Sequence, residues 1–113
     1  MIDSYITGTG GFIGSRLLKR LSGDKTVAIR HQDIAGTEIR PCKRIFFLST
    51  YGNLWQHQNW KETLKANITD LVALLTQAQS LSCKLIFVSS SSVSLPVQTP
   101  YSRCKRAAEE ILL

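Results

Sequence analysis

Three glycines spaced three residues apart, Gly8, Gly11 and Gly14 in ITGTGGFIGSRLL, constrain this chain more than any other stretch. Glycines so spaced permit a tight turn, a close approach of backbone to a pyrophosphate, and close packing of a helix on a strand. The N-terminus of the helix then offers unpaired N–H groups to the anion. The surroundings match: a β-type run over Ile2–Thr7 comes before the turn, and an apolar stripe of Ile13, Leu17, Leu18 and Leu21 at helical spacing follows it. The stretch therefore predicts a strand, a phosphate-binding turn and a helix over Phe12–Ser22 that Gly23 ends.

The remainder alternates strand-like and helix-like runs, which predicts βαβ units around a parallel sheet. Strands are expected near Thr26–Arg30, Arg44–Ser49 and Lys84–Ser89. Ile45-Phe46-Phe47-Leu48 and Leu85-Ile86-Phe87-Val88 are continuous apolar runs suited to central strands covered on both faces. A long helix is expected over Gln58–Gln79, with Leu64, Ile68, Leu71, Leu75 and Ala78 packing on the sheet. The connection His31–Lys43 offers only Ile34 and Ile39 as anchors and reads as a loop with at most one helical turn.

At 113 residues the chain fits one domain, and its 43% apolar and 19% charged composition is that of an ordinary globular protein. No apolar run is long enough to cross a bilayer, and the opening MIDSYITGTGG lacks the basic start and apolar stretch of an export signal. A cytoplasmic location is expected. The net charge of +6 comes from Lys and Arg residues spread along the sequence, which suits a phosphorylated small molecule as well as it suits nucleic acid. Cys42, Cys83 and Cys104 show no metal or disulfide spacing, and His31 and His57 are isolated, so reduced thiols and no metal site are expected.

The end of the second strand bears on the cofactor. An acidic residue there accepts from a ribose 2′-OH, whereas an arginine accommodates a 2′-phosphate. The strand ends in Arg30, with His31 beside it, which favours NADP; Asp33, three residues on, is the alternative and would favour NAD. Near the other end, LIFVSSSSVSLPVQTPYSRCK places Thr99 to cap a helix, Pro100 at its first position, and Tyr101 and Lys105 one turn apart on one face. A phenol titrates near pH 10, so acid/base work near neutrality requires about 4 kcal/mol of help for the phenolate. Lys105 and the helix N-terminus both supply help of that sign.

Taken together these segments resemble the short-chain dehydrogenase/reductase superfamily, and within it the extended branch of sugar-nucleotide epimerases, dehydratases and reductases. TGTGGFIG, FFLSTYG, KANITDLVALL, and FVSSSSVS with PYSRCK follow the branch's segments in order over nearly the whole chain. The resemblance implies an α/β, Rossmann-type three-layer fold with a parallel sheet ordered 3-2-1-4. It implies Tyr101 as catalytic acid/base, Lys105 as its support and a holder of the nicotinamide ribose, Ser90 (or Ser91) as the residue orienting the reacting oxygen, and Asn67 as an aid to a proton-relay water. It also implies cofactor contacts from Gly8, Gly11, Phe12, Ile13, Gly14, Arg30, Leu48 and Ser49.

The sequence departs from the branch in its short region between the second and third strands, in Ser94 where a tyrosine is usual, and in the short link from Ser90 to Tyr101. It also lacks the later strands and the substrate-shaping C-terminal region. The expectation is thus residues 1–113 as an incomplete NAD(P)-binding Rossmann domain with no substrate domain. The sheet edge beside the fourth strand is expected to be bare, calling for a continuation of the chain or a partner. A nucleotide sugar is the expected substrate of the complete protein, and the helix from Gln58 and the last helix are the faces suited to a homodimer. No nucleic-acid or membrane partner is expected. The alternative is a non-catalytic NADP-binding or sensing module.

Overall fold

A computed structural model describes residues 1–49 and 59–113. Residues 50–58, which include His57, the expected helix start at Gln58, and the end of FFLSTYG, lie outside the described residues. The chain runs β1 (Ser4–Thr7), α1 (Phe12–Arg20), β2 (Thr26–Ile29), a 3₁₀ turn (His31–Gly36), β3 (Arg44–Phe47), α2 (Trp60–Leu64), a π turn (Lys65–Thr69), α3 (Asp70–Leu81), β4 (Lys84–Phe87), a second 3₁₀ turn (Ser91–Ser94) and α4 (Pro100–Leu112). The strands form one four-stranded sheet, parallel throughout, with Ser4 opposite Thr26 and Arg44, and Arg44 opposite Lys84.

The α/β class with a parallel sheet is as expected, but the order is 2-1-3-4 rather than 3-2-1-4. The reason lies in the connection after β2. A parallel neighbour on either side of the β1–β2 pair needs a crossover over one face of the sheet, and residues 30–43 are long enough for one. Here the chain makes a 3₁₀ turn and buries Ile34 and Ile39 in the same core as Leu71, Leu74 and Ala78, so it crosses on the α3 face. A right-handed crossover on that face deposits β3 on the free side of β1. Consequently β3 is central as expected, whereas β4 stands at the edge among the described residues, and its apolar run is half-buried over Leu85–Phe87 and exposed at Val88.

The main core lies on the α3 face, where Tyr5, Ile45 and Phe47 meet Leu71, Leu74, Ala78 and Ala108. Ile6, pointing the other way as strand alternation requires, is fully buried on the α1 side. The expected apolar stripe of the long helix is modified in its first half: Leu64 is exposed, and Thr63 and Asn67 are buried in its place. The π turn at Lys65–Thr69 inserts extra backbone and re-phases the helix, so that Leu71, Leu74 and Ala78 face the core only after it. In α1, Ile13 is likewise exposed while Leu17 and Leu18 are half-buried.

Candidate functional site

The turn after β1 is built as the glycine spacing requires. Gly8 adopts φ +76°, and a β-carbon there would sit 2.6 Å from the Leu48 carbonyl carbon and 2.7 Å from Ser49 N. A β-carbon on Gly14 would collide with the carbonyl oxygen of Gly8. The two glycines therefore let α1 press on the turn and the turn press on the end of β3. Thr7, fully buried, fixes the same junction: its hydroxyl accepts from Leu48 N and Ser49 N, each at 3.0 Å.

Helix α1 starts at Gly11 with no side-chain cap and no acidic residue in its first turn, so its leading N–H groups remain available to an anion. A cleft of about 640 Å³ opens here, lined by Gly8–Gly11, Ile29–Gln32, Leu48, Ser49, Glu62, Lys65, Ala66 and Asp70. Ser49 Oγ is buried beside it and finds no hydrogen-bond partner among the described residues. Glycine backbone at a helix start, an unpartnered hydroxyl and a cation at the next strand end fit a dinucleotide.

Of the expected cofactor residues, Gly8, Gly11, Arg30, Leu48 and Ser49 line the cleft. Gly14 lies behind it as packing, and Phe12 and Ile13 point to solvent, 72% and 53% exposed; Phe12 instead carries the Arg16 guanidinium at 3.6 Å from its ring centroid. None of these three lines the cleft, and what they offer an anion is the main-chain N–H of the first turn of α1. Arg30 is paired with Asp33 at 3.1 Å, an exposed ion pair at the cleft mouth. Lys65, Asp70 and Glu62 were not expected. Lys65 Nζ meets the buried carboxylate of Asp70 at 3.2 Å across the π turn, a pairing that ordinary helical spacing does not announce.

The second group gathers at the same, C-terminal edge of the sheet, around the end of β4. Thr99 and Ser102 form a reciprocal capping box: Thr99 Oγ1 accepts from Ser102 N at 3.2 Å, and Ser102 Oγ accepts from Thr99 N at 2.8 Å. With Pro100 at the first helical position, this sets Tyr101 in the first turn of α4 and Lys105 one turn on. Lys105 is only 3% exposed. Its ammonium donates to Val88 O at 3.3 Å and lies 4.7 Å from the Phe87 and 5.9 Å from the Tyr101 ring centroid. Burial lowers its pKa to about 8.

Ser90 accepts from Ser92 N at 3.2 Å, and its Oγ lies 2.9 Å from Ser92 Oγ, capping the turn that follows β4. Asn67 is fully buried in the π turn, where its side-chain amide donates to Thr63 O at 3.0 Å. Such turns within helices concentrate at functional sites. Tyr101 and Lys105 are thus brought together and Ser90 is placed just past the strand that Lys105 touches, but none of these three lines the glycine cleft among the described residues. Among those residues no group of His, Cys, Asp and Glu could hold a metal ion, and no helix is long and apolar enough to cross a membrane.

No family model and no curated protein matches the sequence. Solved structures do match in fold. A UDP-glucose 4-epimerase from Thermotoga maritima, solved with UDP-glucose, superposes with a TM-score of 0.81 at 17% identity, over 98% of this chain and 50% of the epimerase. MoeE5, solved with UDP-glucose and NAD, gives 0.76 at 21% identity, over 96% and 47%. An L-threonine dehydrogenase from Clostridium difficile gives 0.79 at 19% identity, over 98% and 48%. The chain has the Rossmann-type α/β fold of these epimerase and dehydrogenase structures and spans about half the length of each.

Proposed function

We propose that residues 1–113 are the incomplete, cofactor-binding Rossmann domain of an NADP-preferring oxidoreductase, epimerase or dehydratase acting on a nucleotide sugar. The observation that carries this reading is the pairing of Tyr101 with a buried Lys105 at the sheet edge where the glycine turn opens its cleft. The fold likeness to UDP-glucose-bound structures supports the substrate class. When bound, the nicotinamide supplies hydride transfer. Tyr101 gives or takes the proton of the substrate hydroxyl, and the Lys105 ammonium, still charged at neutral pH, supports negative charge developing on the phenol oxygen. Ser90 orients the reacting oxygen, and Asn67 helps hold a relay water. Arg30, at the cleft mouth and paired there with Asp33 at 3.1 Å, exchanges that carboxylate for the 2′-phosphate. The outer faces of α3 and α4, which expose Val72 and Ile111, suit a homodimer.

Fluorescence titration with NADPH and NADH tests the cofactor half: NADPH is expected to bind more tightly, Arg30→Ala to erase the difference, and Gly14→Ala to abolish binding of both. Equal affinity, or an NADH preference, in the wild type would reject the role of Arg30. In a turnover assay of the complete protein with nucleotide sugars, Tyr101→Phe should lower kcat by roughly 100-fold or more while NADPH still binds. An unchanged kcat would remove Tyr101 from the mechanism.

A further inference from the structure

The end of the sheet opposite the glycine turn holds a second reactive cluster. Cys42 and Cys83, 41 residues apart in sequence, bring their sulfurs within 3.2 Å, and the Cys83 thiol also donates to Cys42 O at 3.0 Å. Main-chain contacts hold both residues where they are. Lys43 alone separates Cys42 from the start of β3, Cys83 leads directly into β4, and these parallel neighbours are joined at this end by Lys84 N donating to Lys43 O at 3.3 Å. On the other side, Ser82 takes the left-handed conformation, φ 55°, as α3 ends, and Cys83 N closes that turn onto Ala78 O at 3.0 Å. Both thiols are free and half-buried, packed against the core but within reach of solvent.

We propose that Cys42 and Cys83 form a reversible disulfide site, oxidised by a small disulfide of the glutathione type. One cysteine, as its thiolate, attacks a sulfur of the oxidant, forming a mixed disulfide and releasing one glutathione thiolate. The second cysteine thiolate then displaces the other glutathione. Two protein thiols are oxidised by two electrons, the oxidant is reduced to two thiols, and the two protons lost by the protein end on them. Burial first, and the Cys83 thiol second, push the Cys42 thiol up to about 12. That environment opposes the thiolate, so exchange is slow at neutral pH and quickens as the pH rises. The sulfurs need only approach by roughly 1 Å to bond. The link would tie the entry of β3 to the α3–β4 junction and so restrain the unfolded chain across the helices between them.

The test incubates the chain with excess glutathione disulfide at mildly alkaline pH, alkylates remaining thiols under denaturing conditions, and maps peptides by mass spectrometry. The expected result is loss of two hydrogens, a Cys42–Cys83 linked peptide, Cys104 alkylated, and a melting temperature at least about 5 °C higher that reverts on reduction. Cys104→Ser should retain the link, whereas Cys42→Ser and Cys83→Ser should each stop at a mixed glutathione adduct. Stable adducts in the wild type without a link, a link to Cys104, or cross-linking only between chains would overturn the proposal.

Discussion

Lys105 carries a charge that its surroundings oppose. The ammonium is buried against Phe87 and the Tyr101 ring with one carbonyl as partner, and its pKa falls from 10.5 to about 8 because burial penalises the charged form. Below about pH 8 the folded chain bears the whole cost of keeping that proton. Between pH 8 and 10.5 the folded protein has released it while the unfolded chain still holds it, so stability rises with pH across this window and then levels off. The full span is about 3 kcal/mol. Urea denaturation of the wild type and of Lys105→Met at several pH values isolates it: the wild type should gain stability relative to the variant as the pH rises. Parallel curves would show that Lys105 is not buried as an ammonium. That Tyr101 and Lys105 share a face was legible in their spacing. The depth at which Lys105 lies was not, because it depends on β4 and Phe87 arriving from elsewhere in the chain.

At the scale of elements, α4 owes its position to its first turn. The Thr99–Ser102 box satisfies two main-chain N–H groups reciprocally, and Ser102 is buried, so water cannot replace what the side chains provide. Thr99→Ala is expected to cost about 1 kcal/mol, while Thr99→Ser should be close to neutral. Denaturant midpoints of the two variants check this, and equal losses would assign the effect to packing of the Thr99 methyl rather than to capping. This helix start could be read from TPYS directly, because capping is a local affair. The α2–α3 segment could not be read as well. Its helical character is plain in the sequence, but the π turn that buries Asn67 and turns Leu64 outward leaves no local signature, since it reflects how the helix fits against α4 and the sheet. By the same limit, the place of Lys65 and Asp70 in the cleft wall is not legible in their local sequence.

For the whole molecule, the glycine turn and the βαβ alternation specified the class, while the strand order depended on something the alternation does not encode: which side of β1 the short connection after β2 leads to. With the order 2-1-3-4, β1 and β3 are paired on both sides and, among the described residues, β2 and β4 on one. Amide hydrogen exchange should therefore be slowest in Tyr5–Thr7 and Ile45–Phe47 and faster in Val27–Ile29 and Leu85–Phe87. Fastest exchange in β3 would contradict the pairing. The same order has a consequence for how the protein is made. As the chain emerges from the ribosome, β2 finds one free side of β1, β3 finds the other, and β4 finds the outer side of β3. No strand has to be inserted between two that are already joined, so each addition preserves the pairing before it and the sheet can grow at the pace of synthesis.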